Sequence, residues 1–211
     1  MIHDLAIYGA GGFGRETALL IQQINTVSVQ WNVIGFFDDG LPAGTMVDGL
    51  LVLGGIGELN QYSKSLALAV AIADPVMRKS IVSKIESPDV FYPVIIHPSA
   101  IVEQGRNKIG RGSIITANCI LTTGISLGNF VIVNLATTLG HDVVLDDYCS
   151  IMPGCHISGN CKMGECTMMG TGSRTLQNLT IGKKCKIGAG AVLINSFEDG
   201  VTIVGVPGRV A

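Results

Sequence analysis

The chain contains four histidines, at positions 3, 97, 141 and 156. Histidine is the side chain whose ordinary pKa best suits proton transfer near neutral pH, so each is a candidate general base. His141 is the strongest candidate, because Asp142 follows it and can orient the imidazole or stabilise its protonated form. His3 precedes the first predicted strand, His97 lies in a predicted linker, and His156 fits no catalytic pattern.

The second half of the chain has an apolar residue at every sixth position. An α-helix repeats at 3.6 residues and a strand at 2, so a sustained period of six predicts a hexapeptide β-helix. Gly, Asn and Asp recur at fixed offsets, which indicates tight corners. The anchors of the repeat, all apolar except Thr175, are Ile109, Ile115, Leu121, Leu127, Val133, Leu139, Leu145, Ile151, Ile157, Met163, Met169, Thr175, Ile181, Ile187 and Leu193.

This repeat places His141 near a corner of a triangular prism, two residues past the anchor Leu139. Three hexapeptides make one coil, so residues 18 apart stack, and Gly159 is the stacked neighbour of His141. A glycine beside the imidazole leaves room for a thin ligand, and its amide could donate to a developing oxyanion. A surface histidine on a β-helix flank is the alternative.

Six cysteines occur without any close Cys-x-x-Cys pair, which argues against disulfides and zinc. Five of them share one phase of the hexapeptide repeat and are predicted to fill the core as small hydrophobes. Cys166 lies in another phase, and the repeat does not explain it. The five are Cys119, Cys149, Cys155, Cys161 and Cys185.

The N-terminal part predicts a small Rossmann-like α/β domain. A strand at 5–8 leads into a glycine loop and a helix at 15–24, the context in which G-x-G-x-x-G binds phosphate. The next strand, 33–37, ends in Asp38 and Asp39, which could accept hydrogen bonds from ribose or sugar hydroxyls. A tight turn and a solvated acidic loop are the alternatives. The glycines of the motif are Gly9, Gly11 and Gly14.

Further strands at about 67–73 and 90–96 complete only one mononucleotide-binding half, so one nucleotide fits better than a dinucleotide. A helix over 76–85 carries Arg78 and Lys79, which we interpret as surface cations. The predicted fold is thus α/β plus β. It comprises a Rossmann-like domain at 1–92, a proline-marked linker at 93–100 and a parallel β-helix at 101–211.

Composition narrows the classes of function. The formal net charge is −2, so there is no basic excess of the kind that nucleic-acid binding requires. The longest apolar run, 66–73, is far below the roughly 20 residues of a membrane helix, and the N-terminus lacks the pattern of a signal peptide. We expect a cytoplasmic protein with no membrane insertion.

Three segments carry a family resemblance: Asn-Leu-Ala-Thr-Thr-Leu-Gly-His-Asp at 134–142, Ser-Gly-Asn at 158–160 and Gly-Val-Pro-Gly at 205–208. Together with the repeats they resemble the hexapeptide acyltransferases. The two-domain arrangement is most similar to the sialic acid O-acetyltransferases and the bacillosamine-type sugar N-acetyltransferases. The resemblance implies a left-handed β-helix. Relatives usually continue the Gly-Val-Pro segment with Ala-Lys, whereas this chain has Gly208 and Arg209.

The resemblance implies an acetyl-CoA-dependent sugar acetyltransferase without a metal, in which His141 is the general base and Asp142 supports it. Gly11, Gly12, Gly14, Asp38 and Asp39 would line the nucleotide-sugar site, and Asn134 would contact the substrate. Gly159 would lie at the cofactor, as would Ser150, which replaces a second histidine of some relatives. Relatives usually have Glu at the position of Asp142, or Asp in the O-acetyltransferase branch, so O- and N-acetylation both stay open.

The family resemblance also implies a homotrimer with active sites between subunits, and the flat faces of a β-helix favour such packing. A γ-type carbonic anhydrase would need three zinc-binding histidines, and the repeats offer only His141 and His156. A non-catalytic scaffold that binds a nucleotide sugar is the main alternative. Serine as acyl acceptor and a nicotinamide-dependent oxidoreductase are weaker ones.

Overall fold

The N-terminal part of the chain folds as an α/β unit around a six-stranded sheet. The computed structural model describes residues 2–103 and 105–211. The elements of this unit are β1 His3–Tyr8, α1 Gly12–Val27, β2 Trp31–Phe37, β3 Met46–Val47, β4 Leu50–Gly54, α2 Ile56–Asn60, β5 Leu66–Val70, α3 Pro75–Val82 and β6 Val90–Phe91.

The strand order of this sheet is β3-β4-β2-β1-β5-β6, and only β3 and β4 pair antiparallel. Because β1 lies between β2 and β5, the winding direction reverses at β1. Ligands of open α/β sheets bind at the carboxyl ends of the strands beside such a reversal. The loops that follow β1, β2, β4 and β5 share this edge.

The predicted strand, glycine loop and helix are confirmed, although α1 begins at Gly12 and ends at Val27. Alternate residues of β1 face opposite sides, as strand geometry requires. Leu5 and Ile7 belong to the core cluster that includes Leu20 and Ile21 of α1, whereas Tyr8 belongs to the cluster on the other face. The sheet is therefore buried on both sides.

The rest of the chain winds into a prism of short strands. These are β7 Ile95–Ile96, β8 Ile101–Val102, β9 Lys108–Ile109, β10 Ile114–Ile115, β11 Ile120–Leu121, β12 Ser126–Leu127, β13 Ile132–Val133, β14 Thr138–Leu139, β15 Val144–Leu145, β16 Ser150–Ile151, β17 His156–Ile157, β18 Lys162–Met163, β19 Met168–Met169, β20 Arg174–Thr175, β21 Thr180–Ile181, β22 Lys186–Ile187, β23 Val192–Leu193, β24 Thr202–Val204 and β25 Arg209–Val210.

From β7 to β23 every third strand joins the same sheet, and β24 and β25 extend the first of these sheets, which gives faces of eight, six and five strands. Strands 18 residues apart pair in parallel, for example Thr138 with His156 and Leu139 with Ile157. The predicted anchors from Leu121 to Leu193 are buried in the second position of each strand, Thr175 included. The corners at Asn118, Asp142 and Asn160 have positive φ angles, which confirms the turn prediction.

The five in-phase cysteines are fully buried in the prism core, as predicted. Cys166 has a different place. It stands at a corner with a φ angle of 60°, below Tyr148, and its thiol lies 3.8 Å from the carbonyl oxygen of Pro75 in α3. Cys166 thus belongs to the contact between the β-helix and the α/β unit.

The two units share a core. Ile95, Ile114 and Ile132 occupy the outward positions of one prism face, yet each is only 1% exposed because the α/β unit covers them. The strand β7 that supplies Ile95 lies inside the segment predicted as a linker. The prediction that Arg78 is a surface cation is wrong: its side chain is 1% exposed at this contact. Lys79 does reach the surface.

Candidate active site

The glycine loop after β1 holds α1 close to the sheet. Gly9 has a φ angle of 101°, and a Cβ on Gly14 would lie 1.8 Å from the Gly9 carbonyl oxygen, so position 14 admits only glycine. Gly14 is buried behind the loop and serves this close approach, not the ligand-facing surface predicted for it. Gly11 and Gly12 are exposed, with open space where a Cβ would stand.

The two aspartates after β2 reach this loop. One carboxylate oxygen of Asp38 accepts a hydrogen bond from the Ala10 amide (2.8 Å), and the other accepts from Gly40 (2.8 Å). Asp39 accepts from the Tyr8 hydroxyl (2.7 Å) and from the Ile56 amide (2.8 Å). The structure thus joins Asp38 to the glycine loop through the Ala10 amide, whereas Asp39 joins the end of β1 to the start of α2.

Burial, and next the hydrogen bond to Asp39, raise the pKa of Tyr8 well above its usual range. The Tyr8 hydroxyl therefore stays protonated and donates a hydrogen bond to Asp39. This hydrogen bond links the end of β1 to the end of β2, next to the open space at Gly11 and Gly12.

A third loop at this edge was missed from the sequence. Gly55 follows β4, and its amide donates to the Glu58 carboxylate (2.8 Å), whose pKa is lowered by such backbone hydrogen bonds. The glycine-rich run 54–57, which begins at the last residue of the apolar strand β4, was the signal that could have identified it. A neighbouring groove of about 710 Å³ runs along α1 and includes Gly12 and Arg15.

The second cluster lies on the β-helix at His141. The Nδ1 atom of His141 is 2.9 Å from a carboxylate oxygen of Asp142, and both side chains are more than half exposed. An ionised carboxylate only accepts, so a neutral imidazole in this contact carries its proton on Nδ1 and leaves the lone pair of Nε2 free. The Asp142 amide donates to the Thr123 carbonyl (3.0 Å), which fixes the corner that carries the pair.

Gly159 lies against the imidazole. A Cβ at position 159 would come 2.4 Å from Nε2 of His141, and a Cβ at Gly140 would come 2.7 Å from the Gly159 nitrogen. Both glycines are therefore needed for the ring to occupy its place. The predicted trio His141, Asp142 and Gly159 is one cluster in space.

Asn134 and Ser150 are less accessible. Asn134 is 6% exposed, and its side-chain oxygen accepts hydrogen bonds from the Thr116 hydroxyl (3.2 Å) and the Leu135 amide (2.8 Å). Ser150 has no exposed surface, and its hydroxyl donates to the Ala73 carbonyl (2.7 Å). The structure thus places Ser150 in the contact between the two units and not at a cofactor surface.

The other histidines make local contacts. His97 bridges Ser99 (2.8 Å) and Gln23 of α1 (3.0 Å), and so connects the start of the β-helix to the α/β unit. His156 contacts the Thr138 hydroxyl (2.9 Å). Within residues 2–103 and 105–211, no group of three His, Cys, Asp or Glu side chains is arranged to hold a metal ion. None of the helices in the described ranges is long and apolar enough to cross a membrane.

Comparison with known proteins identifies close relatives. Residues 4–85 match the family model of the PglD N-terminal domain. The GDP-perosamine N-acetyltransferase of Escherichia coli O157:H7 is 32% identical over 214 residues, which cover 96% of this chain and 94% of the relative.

Several solved structures match the whole chain. The acetyltransferase domain of PglB from Neisseria gonorrhoeae, in complex with acetyl coenzyme A, has a TM-score of 0.91 and 35% identity, with all of both chains covered. PerB from Caulobacter crescentus, in complex with CoA and GDP-perosamine, has a TM-score of 0.86 and 26% identity, covering 100% of this chain and 98% of that one.

The prism and the His141–Asp142 pair beside Gly159 define an acetyltransferase of the left-handed β-helix class. The α/β unit that precedes the prism in the chain identifies the family within this class. The chain belongs to the bacillosamine-type family of sugar N-acetyltransferases, together with GDP-perosamine N-acetyltransferase. This confirms the predicted fold class and the family resemblance, and it favours a catalytic protein over a scaffold.

Proposed function

We propose that this protein transfers the acetyl group of acetyl-CoA to the amine of a nucleotide-linked amino sugar. The observation that carries the proposal is the exposed His141, whose Nδ1 is held by Asp142 at 2.9 Å and whose Nε2 is free beside Gly159. The relatives that were solved with acetyl-CoA, or with CoA and GDP-perosamine, support this choice of substrates.

The proposed mechanism is direct transfer. The sugar amine attacks the thioester carbonyl while Nε2 of His141 takes a proton from the nitrogen, and Asp142 stabilises the imidazolium that forms. A C–N bond forms, the C–S bond breaks, and the CoA thiolate leaves and recovers a proton from His141. The Gly159 amide is our candidate donor to the developing oxyanion.

The nucleotide part of the substrate would bind at the carboxyl edge of the α/β sheet. Gly11 and Gly12 offer space and backbone amides for the diphosphate at the start of α1. Asp38 and Asp39 would use remaining acceptor capacity for the ribose hydroxyls. Asn134, nearly buried on the β-helix, would contact the sugar through its amide group.

We propose a homotrimer whose active sites lie between subunits. Supporting this, apolar side chains are exposed in neighbouring outward positions of the six-stranded prism face, with Ile101 64% and Ile120 37% exposed. Sedimentation would give the stoichiometry. Mixing a His141→Ala chain with a chain defective in nucleotide binding should restore activity if each site draws on two chains.

Because its two substrates are cytoplasmic metabolites, we also propose that the enzyme acts in the cytoplasm.

The deciding experiment measures thiol release from acetyl-CoA with a panel of uridine- and guanosine-diphosphate amino sugars, free sialic acid and serine. Native protein is compared with His141→Ala. Release with one amino-sugar nucleotide, lost in the variant, would establish the reaction and the base. Release with a hydroxyl acceptor would overturn N-acetylation, and absence of acetyl-CoA binding would overturn the transferase function.

A further inference from the structure

Arg78 of α3 is a buried cation between the two units. Its guanidinium donates hydrogen bonds in three directions, and most acceptors are backbone carbonyl oxygens. The acceptors are Phe130 O (3.0 Å), Tyr148 O (2.7 Å), Cys149 O (3.2 Å) and Ser150 Oγ (2.9 Å) on the β-helix, with Ile72 O and Ala73 O (3.2 Å) on the α/β unit.

This arrangement is unusual for a buried charge, because in the described ranges no carboxylate lies within ion-pair distance of Arg78. Burial lowers the pKa of Arg78 to about 10, so the side chain is still cationic at neutral pH. Carbonyl oxygens and the Ser150 hydroxyl accept its hydrogen bonds in place of a carboxylate. Only the planar fork of arginine, with five N–H donors, can serve so many acceptors, whereas lysine has three.

The acceptors on the α/β unit lie at the proposed nucleotide site. Ile72 and Ala73 follow β5 at the carboxyl edge of the sheet, on the other side of β1 from Asp38. The segment 71–73 backs the glycine loop directly: a Cβ on Gly9 would lie 2.7 Å from the Ile72 Cδ1 atom and 3.1 Å from the Ala71 carbonyl oxygen. Ser150 adds a second bond from the β-helix to Ala73 (2.7 Å).

The contacts therefore form one continuous path: coils of the β-helix, the Arg78 guanidinium, the segment 71–73 and the glycine loop. Each link in this path is a hydrogen bond or a van der Waals contact, and the Arg78 side chain, Ala71 and Gly9 are buried. Any movement of the segment 71–73 away from the prism would break the bonds of Arg78 to Ile72 and Ala73 and leave part of a buried cation without acceptors, which is costly.

We propose that Arg78 is a positioning residue for acetyl transfer: it fixes the segment 71–73, and through it the glycine loop, relative to the β-helix of its own chain, whose packing in the proposed trimer sets where the nearest His141 stands. This inference rests on the proposed function, because it assigns the glycine loop to the nucleotide sugar. Its effect is on where the acceptor amine stands, and it does not require contact between Arg78 and the substrate.

Lys79 provides the matched control. It is the next residue of α3 and crosses the same boundary, through an ion pair with Glu165 at 2.6 Å. The Lys79 side chain is 45% exposed, and exposed ion pairs contribute little. Lys79→Met should therefore change neither the orientation of the units nor the rate of transfer by more than about twofold.

The test compares native protein with Arg78→Lys, Ser150→Ala and Lys79→Met, each as the full chain. Steady-state kinetics are measured with the nucleotide amino sugar found active in the acceptor panel, together with acetyl-CoA binding and hydrogen exchange. Arg78→Lys should lower kcat at least about tenfold, because misplacement of a reactant by an ångström costs up to about 100-fold. Acetyl-CoA affinity should stay within about twofold, since its proposed site does not include Arg78.

Ser150→Ala removes one acceptor of Arg78 and the bond to Ala73 while leaving the carbonyl contacts in place, so it should fold and give a smaller loss of kcat. In both variants hydrogen exchange should accelerate over 71–74 and 9–14 but not over 179–187. A folded Arg78→Lys with unchanged kcat, or with the same loss as Lys79→Met, would overturn the proposal. So would exchange that rises uniformly along the chain.

These outcomes separate the inference from the proposed function. If native protein transfers no acetyl group to any acceptor, the proposed function fails. The exchange measurement still decides whether Arg78 couples the glycine loop to the β-helix.

Discussion

A Cβ atom on Gly159 would lie 2.4 Å from Nε2 of His141, well inside van der Waals contact. The imidazole therefore occupies a place that exists only because position 159 has no side chain. The stacking of residues 18 apart produces this relationship, since the backbone nitrogen of Asn160 donates to the His141 carbonyl (2.8 Å) and holds the two coils in register.

Gly159→Ala should displace the imidazole and lower kcat by about 100-fold, because the base would no longer face the amine. The control is the same substitution in a His141→Ala background, where it should cost nothing further if it acts through the imidazole. Single-turnover acetyl transfer by the four proteins measures the coupling. Equal losses in both backgrounds would show that Gly159 acts without His141.

Asp142→Asn should reduce kcat less than His141→Ala does. Asparagine tolerates the positive φ angle of 59° at this corner and keeps the size of the side chain. Its neutral amide, however, neither holds the His141 proton on Nδ1 nor stabilises the imidazolium. We expect a loss of about 10-fold to 100-fold, against about 100-fold to 10,000-fold for His141→Ala. Kinetics at saturating substrates measure both. An Asp142→Asn variant with native kcat would remove Asp142 from the mechanism.

Gly12→Ala and Gly14→Ala should separate binding from folding. A Cβ at Gly14 collides with the Gly9 carbonyl at 1.8 Å, so Gly14→Ala should cost about 3 kcal/mol or more of the free energy of unfolding. A Cβ at Gly12 meets open space, so that variant should stay within about 1 kcal/mol of native stability.

The methyl group added by Gly12→Ala should nevertheless occupy space needed by the diphosphate and weaken nucleotide-sugar binding at least about tenfold. Calorimetric titration with the nucleotide sugar and urea unfolding of both variants provide the measurements. Native affinity in Gly12→Ala would move the nucleotide away from the start of α1.

The buried thiols should make the fold sensitive to alkaline pH. Burial raises the pKa of Cys149 to about 12, whereas an unfolded cysteine titrates near 8.5. Because the folded pKa is the higher one, this stabilisation is fully present below about pH 8.5 and is lost as the pH rises towards 12.

The free energy of unfolding should therefore fall with pH above about 8.5, by up to about 1.4 kcal/mol per pH unit for each such thiol. Cys149→Ser cannot ionise in this range and can still donate to the Gly164 carbonyl, so its pH profile should be flatter. Urea unfolding between pH 7 and 10 compares the two slopes. Identical slopes would mean that Cys149 ionises as readily in the folded chain as in the unfolded one.

Much of the architecture could be predicted because it depends on patterns among residues that are close together in the sequence. The six-residue period identifies which side chains face the prism core, and the 18-residue stack that follows from it places Gly159 beside His141. The hairpin β3–β4 was missed, although Asp48 and Gly49 form a favourable two-residue turn with positive φ angles. The flanking strand β3 is only two residues long, so its sequence is too short to show the alternation of side chains that identifies a strand.

Contacts between the units could not be predicted in the same way. Arg78 has the composition and spacing of any exposed helical arginine, and its acceptors lie up to 72 positions away in the sequence. Ser150 is likewise indistinguishable from other strand residues until the α/β unit is placed on its face of the prism. Burial here is decided by tertiary packing, which no local pattern encodes.

The hydrogen bonds of Arg78 to successive coils limit how the β-helix can change in length over evolution. A solenoid whose coils contact only their neighbours can gain or lose whole coils at little cost. Arg78 binds the carbonyls of Phe130 and Tyr148, which lie on successive coils. A duplication among these coils would change their spacing and separate the fixed points, so the prism can be lengthened freely only beyond them, towards its C-terminal end.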